Sequence, residues 1–127
     1  MVSLVITLWK FIWNLQLPPK LKTFTWIVCH DKILTNVQRA KRNLTNENSC
    51  PLCHQAPETL APLFRDCPAV QVIWNSFNIP SCVDNTSQLN WNGWLMAYLL
   101  CKVSFSYKLQ WNSMFVFICW YNWKWRN

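Results

Sequence analysis

The chain has 127 residues, 52% of them hydrophobic, with ten Trp, seven Phe and a single Gly, and 12 Lys and Arg against five Asp and Glu give a net charge of +7. That length can bury a core of its own, and so few glycines exclude the tight turns of a sandwich or barrel, leaving a mainly α fold of helices joined by Pro and Asn. The longest apolar runs, Trp94 to Cys101 and Met114 to Tyr121, fall short of the ~20 residues that span a bilayer, and Met1 to Leu8 lacks the basic start and cleavage site of a secretory leader.

Val5, Leu8, Ile12 and Leu15 recur at helical spacing and predict a first helix over about residues 3 to 16. Leu4, Trp9, Phe11 and Trp13 extend its apolar surface nearly all round, so it calls for partners on more than one side. Pro18 and Pro19 end it. A second helix is expected from Lys20 to about His30, with Leu21, Phe24, Ile27 and Val28 inward and Lys20 and Lys22 outward. Thr35 suits the N-cap of a short third helix, about Asn36 to Asn43, with Val37, Ala40 and Leu44 on one face and Arg39 and Arg42, next to Lys41, on another. Between Trp9 and Leu44 the cations face Asp31 alone. That excess has two open readings, a polyanion such as RNA or DNA as partner, or the solubility that so apolar a chain needs. On the first reading Lys20, Lys22, Arg39, Lys41 and Arg42 are the candidate phosphate contacts.

Cys50 and Cys53 form a Cys-x2-Cys knuckle, and Cys67 returns after a segment, Glu58 to Phe64, that reads as helical. These are three ligands of a tetrahedral zinc site, and structural zinc almost always has four Cys or His ligands. The residue facing back toward the knuckle from the helix before Cys67 is near position 62, and Pro62 has no donor atom there. His54 adjoins Cys53, but neighbouring side chains diverge. It would substitute only if the knuckle were rebuilt, so a solvent-facing imidazole is expected. His30 reads as a helix-terminal residue with no chemical task. Cys29, Cys82, Cys101 and Cys119 read as reduced, buried thiols of an intracellular protein, with nucleus and cytoplasm undecided.

Downstream, Val70, Ile73, Trp74 and Phe77 make a core stripe at i, i+3, i+4, i+7, and Ile79 to Asn90 reads as a surface loop. Trp91 to Cys101 is expected as another apolar helix. The last helix is expected from about Ser104 to Arg126, with Trp111, Phe115, Ile118 and Trp125 on one side and Met114, Phe117 and Tyr121 over much of the rest.

Cys50, Cys53, Glu58, Thr59, Leu63, Phe64, Cys67, Pro68 and Trp74, in that order, resemble the zinc-binding domain between the reverse transcriptase and ribonuclease H regions of plant non-LTR retrotransposon polyproteins. Leu8-Trp9-Lys10, Phe24-Thr25-Trp26, Ile33-Leu34-Thr35 and the closing stretch from Trp120 to Asn127 resemble it too. The resemblance implies one small helical domain over 1–127, with a zinc knuckle at 50–67 between helices and a helical extension over about 91–127. It implies zinc held by Cys50, Cys53, Cys67 and a His. That His falls on Pro62, so the ligand set is incomplete. The expected role is a non-catalytic zinc-knuckle module, with RNA or DNA as partner and neither a membrane nor a small-molecule substrate. The alternatives are a docking domain between polymerase and ribonuclease H parts, or a piece of a decayed element without present activity. Scattered acids, no Gly-rich phosphate loop and no Ser/His/Asp order nominate no catalytic residue. An open three-thiolate zinc with Glu58 as base is the one catalytic arrangement available, and loss of a structural ligand explains the same pattern more simply.

Overall fold

The computed structural model describes residues 2–77, 79–83, 89–106 and 109–126, and helices make up most of them. Helix α1 spans Val2–Trp13 and ends short of its predicted boundary: the Leu15 amide bonds the Ile12 carbonyl and the Leu17 amide the Leu15 carbonyl, which tightens the last turn and stops the α-helical ladder. The chain then bends through Leu15 and Leu17, both buried, toward Pro18; a residue before proline is disfavoured in helical conformation. Helix α2, Pro19–Cys29, starts on a proline whose missing N–H costs nothing in the first turn. It buries Leu21, Phe24, Thr25 and Val28, and the Thr25 hydroxyl donates to the Leu21 carbonyl at 2.8 Å, which permits its burial.

Helix α3 is only Asn36–Lys41 and buries no residue. The expected face of Val37, Ala40 and Leu44 does not form. Asn43 turns the backbone into the left-handed region at φ 57°, and Leu44 is left 59% exposed. Helix α4, Pro68–Asn75, buries Val70 and Trp74 as the stripe predicts, with Ile73 and Phe77 packed beside them. Of the expected loop from Ile79 to Asn90, residues 84–88 lie outside the described residues; before them Ser81–Val83 form a 3-10 turn with Val83 buried. Helix α5, Trp91–Leu100, is capped by Asn90, whose side chain accepts from the Gly93 amide at 2.8 Å. The lone glycine suits that place: a Cβ there would meet the Asn90 Oδ1 at 3.1 Å.

The last helix begins later than expected. Ser104–Ser106 form strand β1, paired antiparallel with β2, Leu109–Gln110, and α6 runs Trp111–Arg126. Val103-Ser104-Phe105-Ser106 alternates apolar and small polar residues with a period of two, which favours a strand over a helix. Along α6, Trp111, Phe115, Val116, Ile118 and Cys119 are buried, whereas Trp125, expected on the same side, is 59% exposed in the final turn.

Helices α4, α5 and α6 meet in an aromatic cluster. Trp74, Trp94, Tyr98 and Phe115 have ring centroids 4.5 to 6.0 Å apart, each such pair contributing about 0.5–1.5 kcal/mol beyond burial. Phe64 joins this core to α2 through Phe24 and to α5 through Trp91. Cys101, expected as a reduced thiol, is disulfide-bonded; such pairing is not readable from cysteine spacing alone. Cys29 and Cys119 are free thiols, and the Cys82 side chain lies outside the described residues. Among the described residues no helix is long and apolar enough to cross a membrane.

Candidate metal centre

The knuckle sits in a short fold-back of the chain. Ser49 and Pro57 form an antiparallel bridge, the Cys50 amide donates to Ala56 at 2.8 Å, and the Glu58 amide donates to Asn48 at 2.7 Å. Inside this clip the turn closes at His54, whose amide donates to the Cys50 carbonyl at 2.9 Å and whose φ of 58° is left-handed. His54 is exposed, as expected, and its ring does not converge with the sulfurs.

The opposing wall differs from its prediction. Instead of a helix from Glu58 to Phe64, a first turn at residues 60–61 widens into a π-helical turn, Pro62–Asp66. Pro62 has no N–H to donate toward the carbonyl of Glu58, and that carbonyl instead accepts from the Val37 amide at 3.2 Å. The turn closes with the Cys67 amide donating to the Pro62 carbonyl at 3.1 Å, which places position 62 one turn beneath Cys67. Pro68 then holds Cys67 extended, with ψ 132°, at the start of α4. Leu63 and Phe64, both fully buried, and the Trp74 Nε1 donating to the Phe64 carbonyl at 2.7 Å fasten this wall to the core.

The two walls bring the sulfurs of Cys50, Cys53 and Cys67 within 4.8 Å of one another, with Cys50 and Cys67 3.7 Å apart. Tetrahedral zinc with sulfurs at about 2.3 Å has sulfur–sulfur edges of about 3.8 Å, so the Cys50–Cys67 separation fits that ion and Cys53 stands within reach of the same point. Cys50 and Cys67 are buried and Cys53 is half-buried. Burial pushes the Cys67 thiol up to about 11, and the Cys50 and Cys53 side chains push the same way; the amides of Ala69 and Val70, in the first turn of α4, pull against them. A divalent cation would reverse the balance by favouring thiolates. Among the described residues no His, Asp or Glu joins the three sulfurs as a fourth ligand.

The knuckle is also wired to α3. Glu58, 4% exposed, accepts the Asn36 amide on its Oε1 at 2.6 Å, while its carbonyl takes the Val37 amide. The Thr35 side chain accepts the Gln38 amide at 3.3 Å, the cap expected from the sequence. Asn36 Nδ2 donates to the Ser49 carbonyl at 2.8 Å, closing the tie from the helix side. The first three amides of α3 are thereby satisfied, two of them by Glu58. This role of Glu58 and Asn36 was not legible in the sequence, where a buried carboxylate 22 residues from its partner leaves no periodic signal.

The predicted cations separate into two groups. Lys22 Nζ donates to the Trp13 carbonyl at 2.7 Å, closing the end of α1, and Lys20 Nζ lies 4.8 Å over the Trp120 ring, which Lys124 also approaches at 4.7 Å. Arg39, Lys41 and Arg42 stand on α3 and around its end, Lys41 and Arg42 exposed and Arg39 half-buried, with no ion pair among the described residues.

Compared with known proteins, residues 3–74 match the family described as zinc-binding in reverse transcriptase. A protein of Arabidopsis thaliana named as a ribonuclease H protein is 30% identical over 115 residues, which is 91% of this chain and 18% of that relative's length. No solved structure matches the chain.

Proposed function

This chain belongs to the reverse transcriptase zinc-binding family, and from that premise we propose that it is a non-catalytic nucleic-acid-binding module in which a zinc-braced knuckle positions a basic helix. Cys50, Cys53 and Cys67 are the proposed ligands, and zinc, when bound, supplies a structural crosslink between the clip and the start of α4. Arg39, Lys41 and Arg42 are the proposed phosphate contacts. Lys20 and Lys22, engaged on Trp120 and Trp13, are further proposed contacts at the start of α2. The observation that carries the reading is the Glu58 bridge, because it fixes a short basic helix, which buries nothing of its own, to the cysteine cluster. The same bridge supports a non-catalytic role: Glu58, the one carboxylate considered as a base beside the metal, is committed to a helix terminus.

Filter binding of the chain to single-stranded RNA and DNA across a salt series tests this. Arg39→Gln, Lys41→Gln and Arg42→Gln combined are expected to flatten the log–log salt slope by about two, at about 0.7 per lost phosphate contact. Absence of any salt-dependent affinity in the unmodified chain would remove the reading.

A second reading is favoured by a separate surface. Ile73, Phe77, Met114, Phe117, Ile118, Trp120 and Tyr121 line an apolar groove of about 500 Å³ between α4 and α6. Such a groove suits docking on an adjacent domain of a longer polyprotein, polymerase or ribonuclease H. Self-association of the isolated chain that disappears on appending such a domain would support it.

A further inference from the structure

Between the end of α2, helix α3, the segment before the π-helical turn and the start of α5 the surface opens into a cleft of about 450 Å³. Val28, Thr35 and Leu60, all buried, line its depth, and His30, Asp31, Gln38, Lys41, Trp91 and Asn92 contribute its polar and aromatic groups. The volume is that of a small-ligand site.

Most of its hydrogen-bonding capacity is unspent. The side-chain amides of Gln38 and Asn92, the Lys41 ammonium and the Asp31 carboxylate have no intrachain partner among the described residues. His30 is held through Nδ1, 2.8 Å from the Trp26 carbonyl, which leaves Nε2 as its free nitrogen. Trp91 is half-buried, its ring packed on Phe64 and on Trp94 at 6.0 and 5.5 Å, so it forms a fixed indole wall. Two amides, one cation and an aromatic surface around a pocket are the chemistry by which proteins hold unstacked bases. Each amide both donates and accepts, as a base edge does. Lys41 belongs at once to the cleft and to the cationic surface of α3.

We propose that this cleft receives a single unpaired nucleobase of a strand whose phosphates run along α3. The inference rests on the nucleic-acid reading above and adds a site to it. Asp31 sets a preference within the class: a carboxylate only accepts hydrogen bonds, so it repels phosphate and favours a base edge rich in N–H donors, guanine before uracil or thymine.

The test uses 12-nucleotide single-stranded RNA and DNA probes, each with a central guanine or a central abasic site, titrated by fluorescence anisotropy. The abasic probe is expected to bind about tenfold more weakly. Gln38→Ala with Asn92→Ala should weaken the guanine probe about tenfold and leave the abasic probe and the salt slope unchanged. Asp31→Asn should narrow the gap between guanine and uracil or thymine probes. Comparison of the two probe series reads any contribution of the 2′-hydroxyl. Gln38, Asn92 and Asp31 lie at the surface or half-buried, and circular dichroism of each variant verifies the fold. Equal affinity for guanine and abasic probes, or variants that weaken both alike, would overturn the base site while leaving phosphate binding intact. No binding to any probe would overturn both.

Discussion

Pro62 carries the largest single-residue consequence in the chain. Its ring sits one turn beneath Cys67, one of three cysteines whose sulfurs lie within 4.8 Å of one another. A structural zinc contributes about 10–16 kcal/mol of apparent folding free energy in small fingers, and a three-sulfur set keeps only part of that. Pro62→His is therefore expected to raise bound zinc from below one to about one per chain, read by atomic emission after dialysis and by the cobalt-substituted spectrum. An unchanged ratio would show that position 62 does not face the metal. The buried Asn122 tells a different story: it is 1% exposed and neither amide atom has a partner. Asn122→Leu removes an unsatisfied buried group and is expected to stabilise the chain by about 1–3 kcal/mol, measured as a shift in denaturant midpoint. The three cysteines and the proline were legible because ligand spacing is a local property of the sequence. Asn122 was not, since an amide in the closing Trp-rich stretch gives no sign of which way it points.

At the scale of elements, helical periodicity located α1, α2, α4 and α5 to within a few residues, and turn chemistry placed the cap Thr35, whereas the Asn90 cap lay unread at the end of an expected loop. It failed where the backbone follows a non-helical rule. Period-two alternation made a hairpin out of the expected start of α6, and from Pro62 on the expected helix widens into a π-helical turn closed by the Cys67 amide on the Pro62 carbonyl. Helix α3 has little internal support: six residues, none buried, held at its start by Glu58 and Thr35. Glu58→Ala strands the Asn36 amide and is expected to cost about 1–3 kcal/mol. Hydrogen exchange should rise at Asn36, Val37 and Gln38 and stay unchanged in α5 and α6. Uniform exchange across the chain would show that Glu58 supports the whole core and not one helix.

For the molecule as a whole, the +7 charge and the apolar composition were visible at once, but how they are arranged was not. Among the described residues Lys20, Lys22 and Lys124 lie on Trp faces, so part of the basic charge is spent on holding aromatic surface in place. The free thiols make the fold sensitive to alkali. Burial raises Cys29 from 9.0 to about 12, so the folded chain keeps a proton that the unfolded chain releases above pH 9. Stability is expected to be level below pH 9 and to fall between pH 9 and 12, by at most about 1.4 kcal/mol per unit for this thiol. Urea midpoints at pH 8 and pH 10.5 should differ less in Cys29→Ala than in the parent, and an equal drop in both would assign the effect elsewhere. The Glu58 bridge extends this sensitivity to distant ligands. A carboxylate shared between the cysteine clip and a cationic helix makes the two ends thermodynamic partners: whatever steadies one lowers the entropy still to be lost at the other. Zinc and nucleic acid should accordingly each tighten the grip on the other by the same factor, a reciprocity that titrating either one in the presence of its counterpart would reveal.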